Sequence, residues 1–105
     1  MKDTIKKIED QIKKHPVTLY MKGTPETPKC GFSAKAAQIL SIYTKNFFYI
    51  DVLSYPDIRS TLPIFSNWPT FPQLWIKEKL IGGVDIMLEL HNSGKLKILI
   101  NSATL

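Results

Sequence analysis

The segment KGTPETPKCGFS, residues 22–33, carries Cys30, the one cysteine of the chain. Cys30 follows a proline-rich loop and precedes an apolar run with helical spacing. Backbone N–H groups at a helix start favour an anion. Lys29 is adjacent, and Lys22 lies where the loop can return to it. Both cations favour the thiolate, which is the nucleophilic and metal-binding form. Flanking lysine and glycine in a polar loop argue against Cys30 as a buried small hydrophobe. Ser33 stands where a C-x-x-C pair would have its second sulfur. Serine cannot close an internal disulfide, so any disulfide at Cys30 is mixed, with a small thiol or another protein.

Other polar and aromatic candidates divide by context. Asp85 follows Gly82-Gly83 and opens a helical run, so on its own it reads as a plain N-cap. Trp68 and Trp75 read as packing residues. His15 and His91 each sit where a helix should end, and both read as surface residues suited to a helix C-terminus. One cysteine and no H-x-x-x-H spacing leave no zinc signature.

These residues need elements to hold them. Ile5, Ile8 and Ile12 recur at helical spacing, with Asp3 or Thr4 as a possible cap and His15-Pro16 as the stop. VTLYM, 17–21, is β-branched and aromatic and predicts a buried strand. The spacing of Ala34, Ala37, Leu40 and Tyr43 predicts one apolar stripe on a helix over 31–44. FFYIDV, 47–52, predicts a second strand. A third helix begins in SYPDIRSTLPIF with Pro56 in its first turn, and Pro63 is expected to end or kink it. FPQLWIKEKLIGG predicts two short strands about a turn near Lys77-Glu78. VDIMLELHNSG is a helix stopped by Gly94, and KLKILIN a final short one.

The order is α-β-α-β-α-β-β-α-α. A helix between the first two strands makes them parallel, with a right-handed crossover. The last two form an antiparallel hairpin. The expected fold class is α/β: a small mixed four-stranded sheet flanked by about five helices. That order, with Cys30 at the start of the second helix, matches a thioredoxin-like fold.

KGTPETPKCGFS resembles the active-site segment of the monothiol glutaredoxins with a CGFS signature. WPTFPQLWIKEKLIGGVDI resembles the second half of their site. The likeness covers nearly the whole chain, and the joint presence of CGFS, WPTFPQ and GGVD is highly specific. It is nearest to the bacterial single-domain members. The resemblance implies glutathione and a two-iron, two-sulfur (2Fe-2S) cluster as cofactors, with Cys30 as cluster ligand and as redox-active thiol. It implies that Lys22 and Arg59 meet the glycine carboxylate of glutathione. Phe71 would pair through its backbone with the cysteinyl part, and Val84 and Asp85 would hold the γ-glutamyl end. It also implies a cis Phe71-Pro72 bond. Many relatives have cysteine where this chain has Val84, so any second thiol there is gone. The implied assembly is a homodimer bridged by the cluster, with apo iron–sulfur proteins and BolA-type proteins as partners. The implied function is iron–sulfur cluster assembly or transfer. Its rivals are a glutathione-dependent thiol–disulfide oxidoreductase and an iron-sensing binding module.

Composition sets the surroundings. A chain of 105 residues fits one domain, here 1–105. It has 44% hydrophobic and 22% charged residues, a globular balance. The lone cysteine points to a reducing compartment. MKDTIKKIEDQIKK has no apolar core of a secretory signal. No apolar run approaches the roughly 20 residues of a membrane span. A cytoplasmic protein with no membrane partner is expected. The net charge is +5, but its lysines are scattered and read as a solvated surface rather than a nucleic-acid face.

Overall fold

The computed structural model describes residues 1–104. Val17–Met21 forms β1, buried along its whole length. Alternation along it feeds two cores. Val17, Leu19 and Met21 face one side of the sheet, and Tyr20 faces the other. β2 is Phe48–Asp51, β3 is Gln73–Ile76 and β4 is Lys79–Gly82. Their order is β2-β1-β3-β4. β1 runs parallel to β2 and antiparallel to β3, which pairs antiparallel with β4.

Helices cover both faces. α1 (Lys2–Lys14) and α3 (Pro56–Ser66) bury Ile8, Ile12, Ile58 and Leu62 against Tyr20, Ile50 and Trp75. α2 (Gly31–Tyr43), α4 (Val84–Asn92) and α5 (Lys95–Thr104) cover the opposite face. This is the mixed sheet with helices on both sides that the sequence order predicts. No helix of the described residues is long and apolar enough to cross a membrane.

Several local expectations shift. α1 starts at Met1 as N-cap, not at Asp3 or Thr4. The Thr4 hydroxyl instead donates to Asp57 Oδ2 at 3.2 Å. Pro63 does not end α3, which runs on to Ser66 and closes at Asn67 in the left-handed region. On α2 the buried face is Ser33, Ala36, Ala37, Ile39 and Leu40, while Ala34 and Tyr43 are half-buried. The β3–β4 turn falls at Lys77-Glu78 as expected, with φ of 49° and 66°. Positive φ at both residues is what a two-residue type I′ turn requires.

Neither histidine is a simple surface cap. His15 stacks on Phe48 with ring centroids 3.7 Å apart. Desolvation, aided by the nearby Lys14 charge, lowers its pKa. His91 Nδ1 is hydrogen-bonded to the Tyr43 hydroxyl, joining the ends of α4 and α2.

Asp57 ties α1 to α3. Lys7 Nζ lies 2.8 Å from its Oδ2. The Lys7 hydrogen bond, against a desolvation penalty and helped by Ile58 N–H and Thr4, holds the carboxyl below its usual range. A depressed folded-state value stabilises the fold above the unfolded carboxylate pKa. That gain is lost as pH falls through the folded value. The pair is partly exposed, so its worth is within about 1 kcal/mol. Asp57→Asn should therefore lower the thermal midpoint by about 2–5 °C at pH 7. The gap to wild type should begin to narrow below about pH 4 and close as pH falls through the lowered folded value, as melts across pH 2–7 will test.

Candidate functional site

β1, β2 and β4 all run the same way, so their C-terminal ends share one end of the sheet with the start of β3. Ligands of α/β folds gather outside such strand ends. Lys22 follows β1, Cys30 opens α2, Arg59 lies in the first turns of α3, Phe71-Pro72 precedes β3, and Val84-Asp85 opens α4. All six residues singled out from the sequence line one cavity of about 670 Å³. That volume is within the range of small-molecule sites, about 300–1,000 Å³.

Cys30 is the N-cap of α2, with extended backbone at φ −152° and ψ 136°. Its thiol is half-buried, and no strict capping hydrogen bond closes on the sulfur. Its pKa is nonetheless lowered. The Ser33 N–H at the helix start contributes most, desolvation opposes it, and Phe32 N–H, the Ser33 hydroxyl and the Lys22 charge add to the shift. Lys29 takes a different role from the one expected. Its charge acts on Asp51 and is not among the groups that shift Cys30.

Ser33 is fully buried, and its Oγ accepts the Lys22 N–H at 3.0 Å. The serine that replaces a second sulfur thus fastens the end of β1 to α2. Lys29 N–H donates to Lys22 O at 2.9 Å, which closes the TPETP loop at its base. The loop delivers Lys22 and Cys30 to the same cavity.

The opposite wall is the segment 68–72. Gln73 is wholly buried, and its Nε2 donates to Trp68 O at 2.9 Å and Thr70 O at 3.3 Å. Its Oε1 accepts from Trp75 Nε1 at 3.3 Å. The buried amide therefore shapes the wall. The Phe71-Pro72 bond is cis. At the third wall, Gly83, and not Asp85 as read from the sequence, is the N-cap of α4, with Asp85 in the first turn. A Cβ on it would sit 3.4 Å from Pro72 O and 3.8 Å from Trp68 Nε1. The Val84 side chain is buried in the core, and Asp85 is exposed.

Sequence reasoning missed part of the lining. Trp68, read as packing, lines the cavity, and its Nε1–H is buried with no acceptor among the described residues. An unmet buried donor costs about 1–3 kcal/mol. Phe32, Pro63, Pro69 and Thr70 line the cavity as well. Phe32 is 67% exposed beside the thiol, so its CGFS position was the available signal. Trp75, in contrast, is core, as expected.

The mixed sheet, its two helical layers and the thiol at the start of α2 define a protein of thioredoxin-like fold. Residues 17–81 match the family model described as Glutaredoxin. The chain is 57% identical to Glutaredoxin 4 of Buchnera aphidicola subsp. Baizongia pistaciae, over 92% of this chain and 90% of that protein. It is 52% identical to Glutaredoxin 4 of Escherichia coli K12, over 95% and 87% of the two chains. Reduced apo GrxS14 from poplar superposes with a TM-score of 0.80 at 38% identity, covering 93% of this chain and 90% of its own. The chain belongs to the glutaredoxin family.

Proposed function

We propose that this glutaredoxin binds glutathione in the Cys30 cavity and, as a pair of chains, carries a 2Fe-2S cluster as cargo for iron–sulfur assembly. The observation that carries the reading is the single thiol, with a lowered pKa, in one cavity with Lys22, Arg59, Gly83 and the α4 N-terminus.

The residues fit the tripeptide. Glutathione has a central thiol, two carboxylates and an ammonium. Lys22 and Arg59 supply cations for its glycine carboxylate, and Arg59 can bind bidentately. The N–H groups that open α4 suit the γ-glutamyl carboxylate, and Asp85 suits its ammonium. Phe71 offers backbone to the cysteinyl part. The missing side chain of Gly83 leaves room between Pro72 O and the Trp68 indole. The Trp68 N–H, without an acceptor among the described residues, belongs to a residue that lines the same cavity.

The cluster rests on the resemblance to CGFS monothiol glutaredoxins, and ligand counting says how it would be shared. A 2Fe-2S cluster usually takes four thiolates. One chain supplies Cys30 alone. Among the described residues, no group of three or more His, Cys, Asp or Glu gathers to hold a metal ion. Two Cys30 thiolates and two glutathione thiolates complete the set. Cytoplasmic homodimers, apo iron–sulfur acceptors and a BolA-type partner belong to the same proposal. The half-exposed, acidified thiol also favours a second reading, glutathione-dependent disulfide exchange at Cys30.

Anaerobic reconstitution with iron, sulfide and glutathione tests the first reading. The expected result is visible absorbance that co-elutes with a dimer and is absent without glutathione. Colourless protein under these conditions leaves disulfide exchange as the function. The groove has its own test. Lys22→Glu and Arg59→Glu should each weaken glutathione binding about tenfold or more, by losing a charged hydrogen bond and adding repulsion. Calorimetric titration of the apo chain measures this, and wild-type affinity in both variants would move the groove elsewhere.

A further inference from the structure

Asp51 ends β2 in register with Met21 of β1. It is not among the cavity-lining residues. Its carboxylate accepts three hydrogen bonds that fix the segments carrying them. Oδ1 takes Gly23 N–H at 2.9 Å and Leu53 N–H at 3.0 Å, and Oδ2 takes the Ser54 hydroxyl at 3.1 Å.

Gly23 is the base of the loop that leads to Cys30. It bridges to Pro28, and above it Thr24 and Thr27 exchange backbone hydrogen bonds at 3.2 and 3.1 Å. Its φ is +89°, and a Cβ there would lie 2.5 Å from Thr27 O and 2.7 Å from Lys29 N. The loop is therefore a closed unit, and Asp51 holds its base to the end of β2. On its other side, Asp51 fixes the turn through Leu53 and Ser54, which leads into α3 and Arg59. One carboxylate thus sets both segments that bring cations to the cavity. Burial opposes its ionisation, but Gly23, Leu53, Ser54 and Lys29 hold it charged, below the usual carboxylate range.

We propose that Asp51 is a positioning residue: without touching ligand, it holds Lys22, Cys30 and Arg59 in the arrangement that an anionic thiol peptide requires. The inference rests on the glutathione reading. A loop released from Asp51 must be reordered on binding, and that ordering weakens affinity.

The test uses the full apo chain with Asp51→Ala and Asp51→Asn. Alanine removes all three acceptor contacts. Asparagine keeps a carbonyl oxygen for Gly23 and Leu53. Glutathione affinity should fall about tenfold in Asp51→Ala and be mostly restored in Asp51→Asn, by calorimetric titration. A second readout separates position from charge. Asp51 is not among the groups that shift Cys30, so loss of its negative charge by itself would leave alkylation by iodoacetamide at pH 7 unchanged or faster, never slower. Loss of position should instead slow it several-fold in Asp51→Ala. Wild-type affinity together with unchanged or faster alkylation in Asp51→Ala overturns the proposal. If Asp51→Ala does not fold, Asp51→Asn decides: affinity weakened about twofold supports the role, and wild-type affinity overturns it. If wild type itself shows no glutathione binding, the glutathione reading fails, and the alkylation rates alone judge the role of Asp51.

Discussion

Cys30→Ser should abolish cluster uptake while leaving the fold as stable as before, or slightly more so. The two halves of this expectation have separate causes. A hydroxyl is not a soft ligand, and its proton is not lost near neutral pH, so iron loses its protein ligand in each chain. Iron and sulfide retained after reconstitution should fall to less than about a tenth of wild type, since the chain has no second thiol to substitute. The fold has little to lose. Cys30 is half-buried and caps α2 without a strict side-chain hydrogen bond. Serine is among the preferred N-caps and can accept an N–H of the first turn, a gain of up to about 1 kcal/mol. The thermal midpoint should stay equal or rise by a few degrees. Glutathione affinity should be largely kept, because Lys22, Arg59 and the α4 start are unchanged. Visible absorbance, iron analysis, thermal melts and calorimetry on one preparation check all three statements. Wild-type iron content in the variant would mean that Cys30 is not the ligand. Lost stability would mean that the sulfur packs more tightly than its exposure indicates.

The sequence was most legible where one physical signal dominates. Val17–Met21 is buried on both faces, so its β-branched and aromatic run has no competing reading. The parallel pairing of β1 and β2 follows from the helix between them. The turn at Lys77-Glu78 was legible from the strands on either side, although neither residue is a usual left-handed former. The misses share a cause. Pro63 removes one helical hydrogen bond, yet packing of Ile58 and Leu62 against the core carries α3 past it, and local propensity does not see that packing. Ser33 reads as the missing half of a C-x-x-C pair. Its burial and its bond to Lys22 N–H appear only once β1 and α2 are brought together. Asp51 and Trp68 are the same case over longer range. The role of Asp51 needs β2 placed beside β1, and that of Trp68 needs the start of α4 folded over it. The six candidate residues were found because the resemblance supplied their three-dimensional neighbourhood. Physics alone reached Cys30 and Lys22.

Assembly should follow cluster content: the apo chain is expected to be monomeric at micromolar concentration, and the loaded form dimeric. Charge is the first reason. Each chain has a net charge of +5, and Lys22 and Arg59 face the same opening as Cys30. Two such faces repel when empty, more strongly at low salt. Apolar surface is the second reason. Phe32 and Ile64 are 67% and 66% exposed, but single exposed residues of this kind fall far short of the apolar core of an obligate interface. Under the proposed function, loading would remove the first obstacle: two glutathione molecules would bring carboxylates to the cations, and a cluster with four thiolates would carry net negative charge. Ligands that bind only the paired state favour it by mass action. Dimer should therefore rise in proportion to cluster absorbance and dissociate when glutathione is removed. It should also dissociate as pH falls, because ligating thiolates take up protons. Sedimentation velocity followed at a protein and a visible wavelength reads both species at once. Cluster absorbance that sediments as monomer would require a different ligand set, with Cys30 of only one chain. An apo chain that is already dimeric at low salt would mean that an apolar or polar contact, strong enough to overcome like charge, forms the interface before any cluster arrives.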